Sequence, residues 1–172
     1  MRRMVTAITV LALAACAAHD GSTQPASVGQ PAPAWSERAV PNGELSLASL
    51  RGKTIYLNFF ATWCPPCNEE APAIERLQRS FGARGLQVVG VDVLENARKA
   101  ELFRVQHHLS YPEIVDDGTL RAQYAVNGLP VHVFIDRRGI IRRIVAGELT
   151  VPEMRKAVLE LLHEGRNPSA AY

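Results

Sequence analysis

The stretch Thr54-Ile-Tyr-Leu-Asn-Phe-Phe-Ala-Thr-Trp-Cys-Pro-Pro-Cys67 is an apolar run that ends in two cysteines separated by two prolines. Neither face of residues 55–60 is polar, which indicates a strand covered on both sides, as in α/β proteins. The prolines suit the first turn of a helix, where a missing N–H leaves no hydrogen bond unmade. A cysteine at a helix N-terminus has a lowered pKa, because unpaired N–H groups and partial positive charge surround it. The pair is therefore predicted to be a redox-active dithiol, with a structural disulfide or a metal site as alternatives.

The rest of the sequence alternates between strand and helix patterns. Apolar residues at helical spacing follow Cys67 as far as Phe81, and Leu102, Val105 and Leu109 are predicted to form the inner face of a second helix. The predicted elements beyond the first helix are strand 86–92, helix 96–107, strand 111–115, helix 119–124, a hairpin of 131–136 and 140–146, and helix 151–164. This order predicts an α/β fold, with a mixed central sheet flanked by helices on both faces.

The N-terminus has the pattern of an export signal. A short basic region is followed by the apolar run Val5–Ala15, which is too short to span a bilayer. The run ends in Leu13-Ala-Ala-Cys16, which resembles a bacterial lipobox and predicts cleavage before Cys16 and lipidation of that cysteine. An ordinary signal peptide and an uncleaved anchor are the alternatives. All three place the domain outside the cytoplasm.

Composition sets the domain limits and excludes one class of partner. Residues 16–34 are rich in Ala, Pro, Gly and Ser and are predicted to be a flexible tether, followed by one domain at 35–166 and a frayed C-terminus at 167–172. Removal of Arg2 and Arg3 with the signal leaves 17 basic residues against 17 acidic ones. No basic run or basic–aromatic stripe is present, so nucleic acid is not an expected partner.

Several motifs together carry a resemblance to a known family. They are Asn58-Phe-Phe-Ala-Thr-Trp-Cys-Pro-Pro-Cys67, Glu70-x-Pro72, Tyr124-x-Val-x-Gly-Leu-Pro130 and Phe134-Ile-Asp-x-x-Gly139. The combination resembles the TlpA/ResA-like membrane-anchored thioredoxin-like thiol–disulfide oxidoreductases, with the cytochrome c maturation thioredoxins as close relatives. The similarity covers about residues 28–164. It implies a thioredoxin-like fold and dithiol chemistry that needs neither a cofactor nor a metal.

The resemblance also implies roles for individual residues. Cys64 corresponds to the attacking thiol, Cys67 to the resolving thiol and Pro130 to a cis-proline beside the dithiol. Asn58 stands where thioredoxins carry a buried aspartate, and an amide cannot take up a proton. Glu70 can, and it lies at i+3 from Cys67, so it is predicted to be the general base for that thiol. The residues expected to contact substrate are Trp63, Pro65, Pro66 and Leu129.

The implied function is the reduction of disulfides in exported proteins on the extracytoplasmic, periplasmic side of the bacterial cell envelope. A membrane-embedded thiol-transfer protein is the expected electron donor, since that compartment is oxidising. A disulfide oxidase or isomerase is the nearest alternative. A copper-binding metallochaperone would use Cys64, Cys67 and His132 as soft ligands, although such proteins usually space their cysteines one residue further apart. A non-catalytic binding module with the same fold is the remaining alternative.

Overall fold

The computed structural model describes residues 25–41 and 43–164. Within them, no helix is both long and apolar enough to cross a membrane. The strands and helices of these residues are β1 (Ser36–Val40), β2 (Glu44–Ser46), β3 (Thr54–Phe60), α1 (Pro65–Phe81), β4 (Leu86–Val93), α2 (Ala97–Gln106), β5 (Glu113–Asp116), α3 (Thr119–Gln123), β6 (Val131–Ile135), β7 (Ile141–Ala146) and α4 (Val151–Glu164).

The strands form one mixed sheet in the order β2-β1-β5-β4-β3-β6-β7. Strands β3, β4 and β5 run parallel, whereas β6 runs antiparallel to β3. Every residue of β3 is buried, because α1, α2 and α4 cover one face of the sheet, and α3 and the segment before β1 cover the other. The structure confirms the predicted α/β fold with helices on both faces.

The inner face predicted for α2 is wrong for Leu102 and Val105, although Leu109, just beyond the helix, is buried as predicted. Leu102 and Val105 are 59% and 54% exposed, and the buried residues of this helix are Ala100 and Phe103. The Phe103 ring stacks on Phe60 with ring centroids 4.5 Å apart. This aromatic contact decides the helix's rotation about its axis, because an aromatic ring buries more apolar area than an aliphatic side chain.

Residues 26–32, which are predicted to belong to a flexible tether, are hydrogen-bonded to the domain. The N–H of Ala26 donates to the carbonyl of Gln123 (2.7 Å), and the N–H of Gly29 donates to the carbonyl of Ile141 (2.8 Å). In return, the N–H of Ile141 donates to the carbonyl of Gln30 (2.9 Å). The two bonds with Ile141 satisfy backbone groups at the outer edge of β7, and the bond to Gln123 joins the segment to the end of α3. The predicted signal, Cys16 and the frayed residues 167–172 lie outside the described residues.

Candidate active site

The two cysteines of the predicted dithiol form a disulfide at the start of α1. Cys64 is the N-cap residue, Pro65 and Pro66 occupy the first two helical positions, and the N–H of Cys67 lies 3.4 Å from Cys64 Sγ. Both cysteines are buried. An N–H directed at Cys64 Sγ stabilises negative charge on that sulfur, so this geometry favours Cys64 as the thiolate of the reduced form.

Side chains on two sides hold the turn that carries the disulfide. Glu95 accepts hydrogen bonds from the N–H (2.6 Å) and the hydroxyl (2.9 Å) of Thr62. The amide of Asn68 donates to the carbonyls of Thr62 (3.0 Å) and Cys64 (2.9 Å). Between these fixed points, Trp63 is 69% exposed. The turn therefore presents a large apolar side chain to solvent directly beside the disulfide.

Glu95 is a site residue that the sequence reasoning missed. Burial acts to raise its pKa, but hydrogen bonds from Lys99 and Thr62 outweigh burial and hold the pKa below its ordinary value. The available signal was its position just after β4, because functional side chains of parallel sheets gather at the carboxyl ends of strands. Glu95 is thus an ionised carboxylate that anchors the turn.

Glu70 lies on the other side of the disulfide and is held by fewer donors. It is 7% exposed, its Oε1 accepts a hydrogen bond from the N–H of Leu149 (2.6 Å), and its Oε2 lies 3.4 Å from His132 Nε2. Burial raises the pKa of Glu70 to about 7; the Leu149 N–H opposes this rise and the nearby Glu148 adds to it. A carboxyl group that titrates near neutral pH is suited to general acid–base catalysis.

A cleft of about 280 Å³ gives Glu70 access to solvent. It is bounded by Pro66 and Glu69 on α1, by Leu149 in the loop before α4, and by Met154 on α4. A proton on Glu70 can therefore exchange with solvent through this cleft.

Leu129 and Pro130 lie at the same end of the sheet as the disulfide. Their peptide bond is cis, and β6 pairs with β3 so that Val131 lies opposite Phe59, just before the active-site turn. Leu129 packs against the core cluster that contains both cysteines. The carbonyl of Pro130 accepts a hydrogen bond from the N–H of Gly147 (2.9 Å). The fold thus brings the predicted cis-proline to the dithiol end of the molecule.

Comparison with known proteins assigns the family. The family model described as "AhpC/TSA family" matches residues 28–144. The chain belongs to the AhpC/TSA family. It is 36% identical over 132 residues to the thioredoxin-like protein YneN of Bacillus subtilis, covering 74% of this chain and 76% of YneN. It is 32% identical over 132 residues to the thiol–disulfide oxidoreductase ResA of Geobacillus thermodenitrificans, covering 76% of this chain and 75% of ResA.

A solved structure is also that of a disulfide oxidoreductase. It is that of a secreted Mycobacterium tuberculosis disulfide oxidoreductase homologous to E. coli DsbE, which aligns with a TM-score of 0.68 and 25% identity over 74% of this chain and 96% of the other. The chain is a thioredoxin-like thiol–disulfide oxidoreductase of the ResA/DsbE type, with Cys64 and Cys67 as its cysteine pair.

Two further polar side chains of this AhpC/TSA family member lie beneath the site. The amide of Asn58 is 3.4 Å from His132 Nδ1, and both residues are buried. The ring nitrogens of His132 contact the hydroxyl of Tyr56 (2.8 Å) and the carbonyl of Gly147 (3.1 Å). Both nitrogens of the imidazole are therefore within hydrogen-bond distance of protein atoms.

Within residues 25–41 and 43–164, no group of three or more His, Cys, Asp or Glu side chains is arranged to hold a metal ion.

Proposed function

We propose that this chain is an extracytoplasmic reductant of disulfides in exported proteins. The observation that carries the proposal is a Cys64–Cys67 pair at the first turn of α1 with a buried Glu70 three residues further along the same helix. The cysteines supply the electrons, and the carboxylate takes the proton that the second thiol must lose before it can react.

Each half of the proposed reaction forms one sulfur–sulfur bond and breaks another. In the reduced protein, the Cys64 thiolate attacks a substrate disulfide and forms a mixed disulfide, which releases the first substrate thiolate. Cys67 then gives its proton to Glu70, and the resulting thiolate attacks Cys64 Sγ. This step releases the second substrate thiolate and leaves the Cys64–Cys67 disulfide. The substrate is reduced by two electrons and the protein is oxidised by two.

The surface around the disulfide supports a polypeptide substrate. Trp63 and Pro65 are exposed, Pro66 is partly buried, and Leu129 is partly buried beside the cis-proline Pro130. We assign substrate contact to Trp63, Pro65, Pro66 and Leu129, because apolar groups flank the sulfurs and exposed aromatic side chains recur at binding surfaces. Extended backbone of the substrate can pair with the main chain of the Leu129–Pro130 loop.

The proposed location is the extracytoplasmic side of the bacterial cell envelope. Support comes from the export pattern at residues 1–15, from the secreted relative above, and from Cys16 as the predicted lipid-anchor residue. Because that space is oxidising, the proposal requires a membrane-embedded thiol-transfer protein that reduces the Cys64–Cys67 disulfide after each turnover. Metabolic palmitate labelling that is lost in Cys16→Ala tests the anchor.

Cysteine variants test the mechanism. In Cys64→Ser, reduction of insulin disulfides should fall to background, because no attacking thiolate remains. In Cys67→Ser, covalent complexes with substrate should accumulate on non-reducing gels, because the resolving thiol is missing. The opposite result, with complexes on Cys64→Ser and none on Cys67→Ser, would show that the two roles are exchanged.

Equilibration with glutathione tests the direction. A reductant should have a potential toward that of thioredoxin, about −270 mV, whereas a strong oxidant such as DsbA lies near −120 mV. A measured value at the oxidising end of this range would replace the reductant proposal with an oxidase or isomerase.

A further inference from the structure

His132 lies fully buried on β6 and contacts Glu70 from the sheet side. The distance from His132 Nε2 to Glu70 Oε2 is 3.4 Å, and the same nitrogen lies 3.1 Å from the carbonyl oxygen of Gly147. On the other side of the ring, Nδ1 lies 2.8 Å from the hydroxyl of Tyr56. A continuous polar path therefore runs from Tyr56 through the imidazole to the carboxyl group of Glu70.

The carbonyl of Gly147 determines which ring nitrogen carries the proton. A carbonyl oxygen only accepts hydrogen bonds, so Nε2 is protonated and donates. Burial lowers the pKa of His132 to about 4, against the opposing effect of the Gly147 bond, so the ring is neutral at pH 7. Nδ1 then accepts from the Tyr56 hydroxyl, and the Asn58 amide is a second donor 3.4 Å away. Among the described residues Glu70 Oε2 has no hydrogen-bond partner, and the protonated Nε2 of His132 lies 3.4 Å from it.

We propose that His132 is the positioning residue for Glu70, and that its Nε2–H is shared between Gly147 and Glu70 Oε2 according to whether Glu70 is protonated. When Glu70 is ionised, the Nε2–H forms a bond to Oε2, since a charged acceptor forms the stronger bond. When Glu70 is protonated, the Nε2–H remains on the Gly147 carbonyl. The buried donor keeps an acceptor in both states, which avoids the cost of an unpaired polar group.

This inference rests on the proposed function, in which Glu70 takes a proton from Cys67. The N–H of Leu149 already occupies Oε1, so Oε2 is the oxygen that gains the proton from Cys67 Sγ. The sulfur keeps the electron pair of its S–H bond and uses it to attack Cys64. Stabilisation of the Glu70 carboxylate by His132 lowers the pH at which this base becomes available.

Other ionisable groups surround Glu70 and do not offer the same support. They are Cys67 and Glu69 on α1, Tyr56 on β3, His132 on β6 and Glu148 in the loop before α4. The α4 residues that line the cleft, Val151 and Met154, are uncharged. Glu148 acts to raise the pKa of Glu70, and the Tyr56 hydroxyl is used by His132. The imidazole is thus the side chain among them, apart from the reacting thiol, that is placed to donate to Glu70.

Substitutions at His132 test the proposal through two readouts of the same ionisation. The first is the ¹³C NMR titration of the Glu70 carboxyl carbon in the oxidised protein. The second is the pH dependence of resolution of a mixed disulfide between Cys64 and glutathione. His132→Met removes the donor at similar volume and should raise both midpoints by about one pH unit. His132→Gln keeps an N–H near the position of Nε2 and should restore midpoints close to wild type. The exposed-site control His108→Gln should leave them unchanged.

Equal midpoints in the wild type and His132→Met would overturn the proposal. Near-UV circular dichroism checks that each variant is folded. If His132→Met does not fold, Tyr56→Phe provides the test. Without the hydroxyl, the donor to Nδ1 is lost and the tautomer with the proton on Nε2 is less strongly favoured. The midpoint should therefore rise by a smaller amount. An unmoved midpoint in a folded Tyr56→Phe protein would also contradict the proposal. If Glu70→Gln keeps the wild-type pH dependence of resolution, the base assignment itself fails, whereas the NMR midpoints still report on the His132 contact separately.

Discussion

Glu70 and Glu95 approach the active-site turn from opposite sides of β3, and their side chains are 8% and 3% exposed. Glu70 accepts one main-chain hydrogen bond, from Leu149, and burial raises its pKa to about 7. Glu95 accepts from Thr62 N–H, from the Thr62 hydroxyl and from Lys99, and its pKa lies below the ordinary value. Burial raises the pKa at both positions, but only Glu95 has enough donors, one of them charged, to outweigh it.

The difference separates a carboxyl group that can exchange protons near neutral pH from one that stays ionised. A carboxylate that is ionised throughout the neutral range holds its donors firmly but accepts a proton only in acid. A carboxyl group with a pKa of about 7 is present in both forms at neutral pH and can exchange protons within a reaction cycle. On this basis Glu95 fixes the position of Thr62, and Glu70 is the carboxyl group suited to the proposed proton transfer from Cys67.

Replacing Glu70 should have the largest effect on rate. In the wild type, resolution of the mixed disulfide should speed up as pH rises through about 7, because the carboxylate is the active base. Glu70→Gln removes that base, and resolution at pH 8 should slow by about 100-fold, the usual scale of general base catalysis. Stopped-flow measurement of thiol release from a Cys64–glutathione mixed disulfide between pH 5 and 9 checks both the rate and the profile.

The matched control for this variant is its exposed neighbour on the same helix. Glu69→Gln removes the same charge from the same cleft without touching the buried carboxyl group. It should keep the wild-type profile. Equal losses of rate in Glu70→Gln and Glu69→Gln would mean that the negative charge of the cleft, and not proton transfer to Glu70, sets the rate of resolution.

Replacing Glu95 should affect stability without moving the catalytic pH profile. Glu95→Ala leaves the N–H of Thr62 without its acceptor, so the free energy of unfolding should fall by about 2 kcal/mol. The midpoint of resolution should stay near pH 7, since the Glu70 environment is unchanged. Urea unfolding and the same stopped-flow experiment check the two parts. The control Glu101→Ala removes a partly exposed ion pair with Arg104 and should cost much less.

A shifted resolution midpoint in folded Glu95→Ala protein would contradict the division of roles between the two carboxyl groups. Such a result would show that Glu95, on the other side of the disulfide, also influences the proton transfer that we assign to Glu70.

The order of elements and the dithiol turn could be predicted because their signals are local. Apolar runs of strand length, prolines that fit a first helical turn, and Glu70 at i+3 from Cys67 all operate within a few residues of one another. The family resemblance supplied Pro130, whose partner strand is distant in sequence. Helix periodicity also gave α1, where Ile74, Leu77 and Phe81 are buried as the pattern indicated.

The features that were missed depend on contacts between distant segments. The bond between Glu95 and Thr62 joins residues that are 33 positions apart, and no local pattern marks an acidic residue as the acceptor for a particular N–H. The rotation of α2 follows from the stacking of Phe103 on Phe60, which outweighs the spacing of Leu102 and Val105. Sequence periodicity reports which residues share a helix face, whereas tertiary packing decides which face is buried.

The Glu95 side of the molecule contains two more acidic residues beneath the surface. Asp92 on β4 and Glu113 on β5 are fully buried. Burial, with the added charge of Glu95, raises the pKa of Asp92 to about 8. Burial, with the added charge of Asp92, raises the pKa of Glu113 to about 9. Burial therefore outweighs the opposing charges of Lys99 and Arg104, and these two carboxyl groups are neutral at pH 7.

Neutral replacements of this pair should stabilise the protein relative to wild type, and increasingly so as pH rises from about 4 to 9. The unfolded chain loses these protons near pH 4, but the folded protein keeps them up to pH 8–9, so the wild type loses stability as pH rises through this window. Asp92→Asn combined with Glu113→Gln cannot titrate at these positions, so the stability of the variant relative to wild type should rise by several kcal/mol between pH 5 and pH 9, at up to about 1.4 kcal/mol per pH unit for each group. Urea unfolding at pH 5, 7 and 9 measures the trend.

The exposed acid Asp117, whose pKa is lowered by Thr119, provides the control Asp117→Asn, which should show no gain between pH 7 and 9. The contrary outcome is a stability of the double variant relative to wild type that is equal at all three pH values. That result would show that Asp92 and Glu113 do not hold protons in the folded state, and that burial does not raise their pKa values above 7.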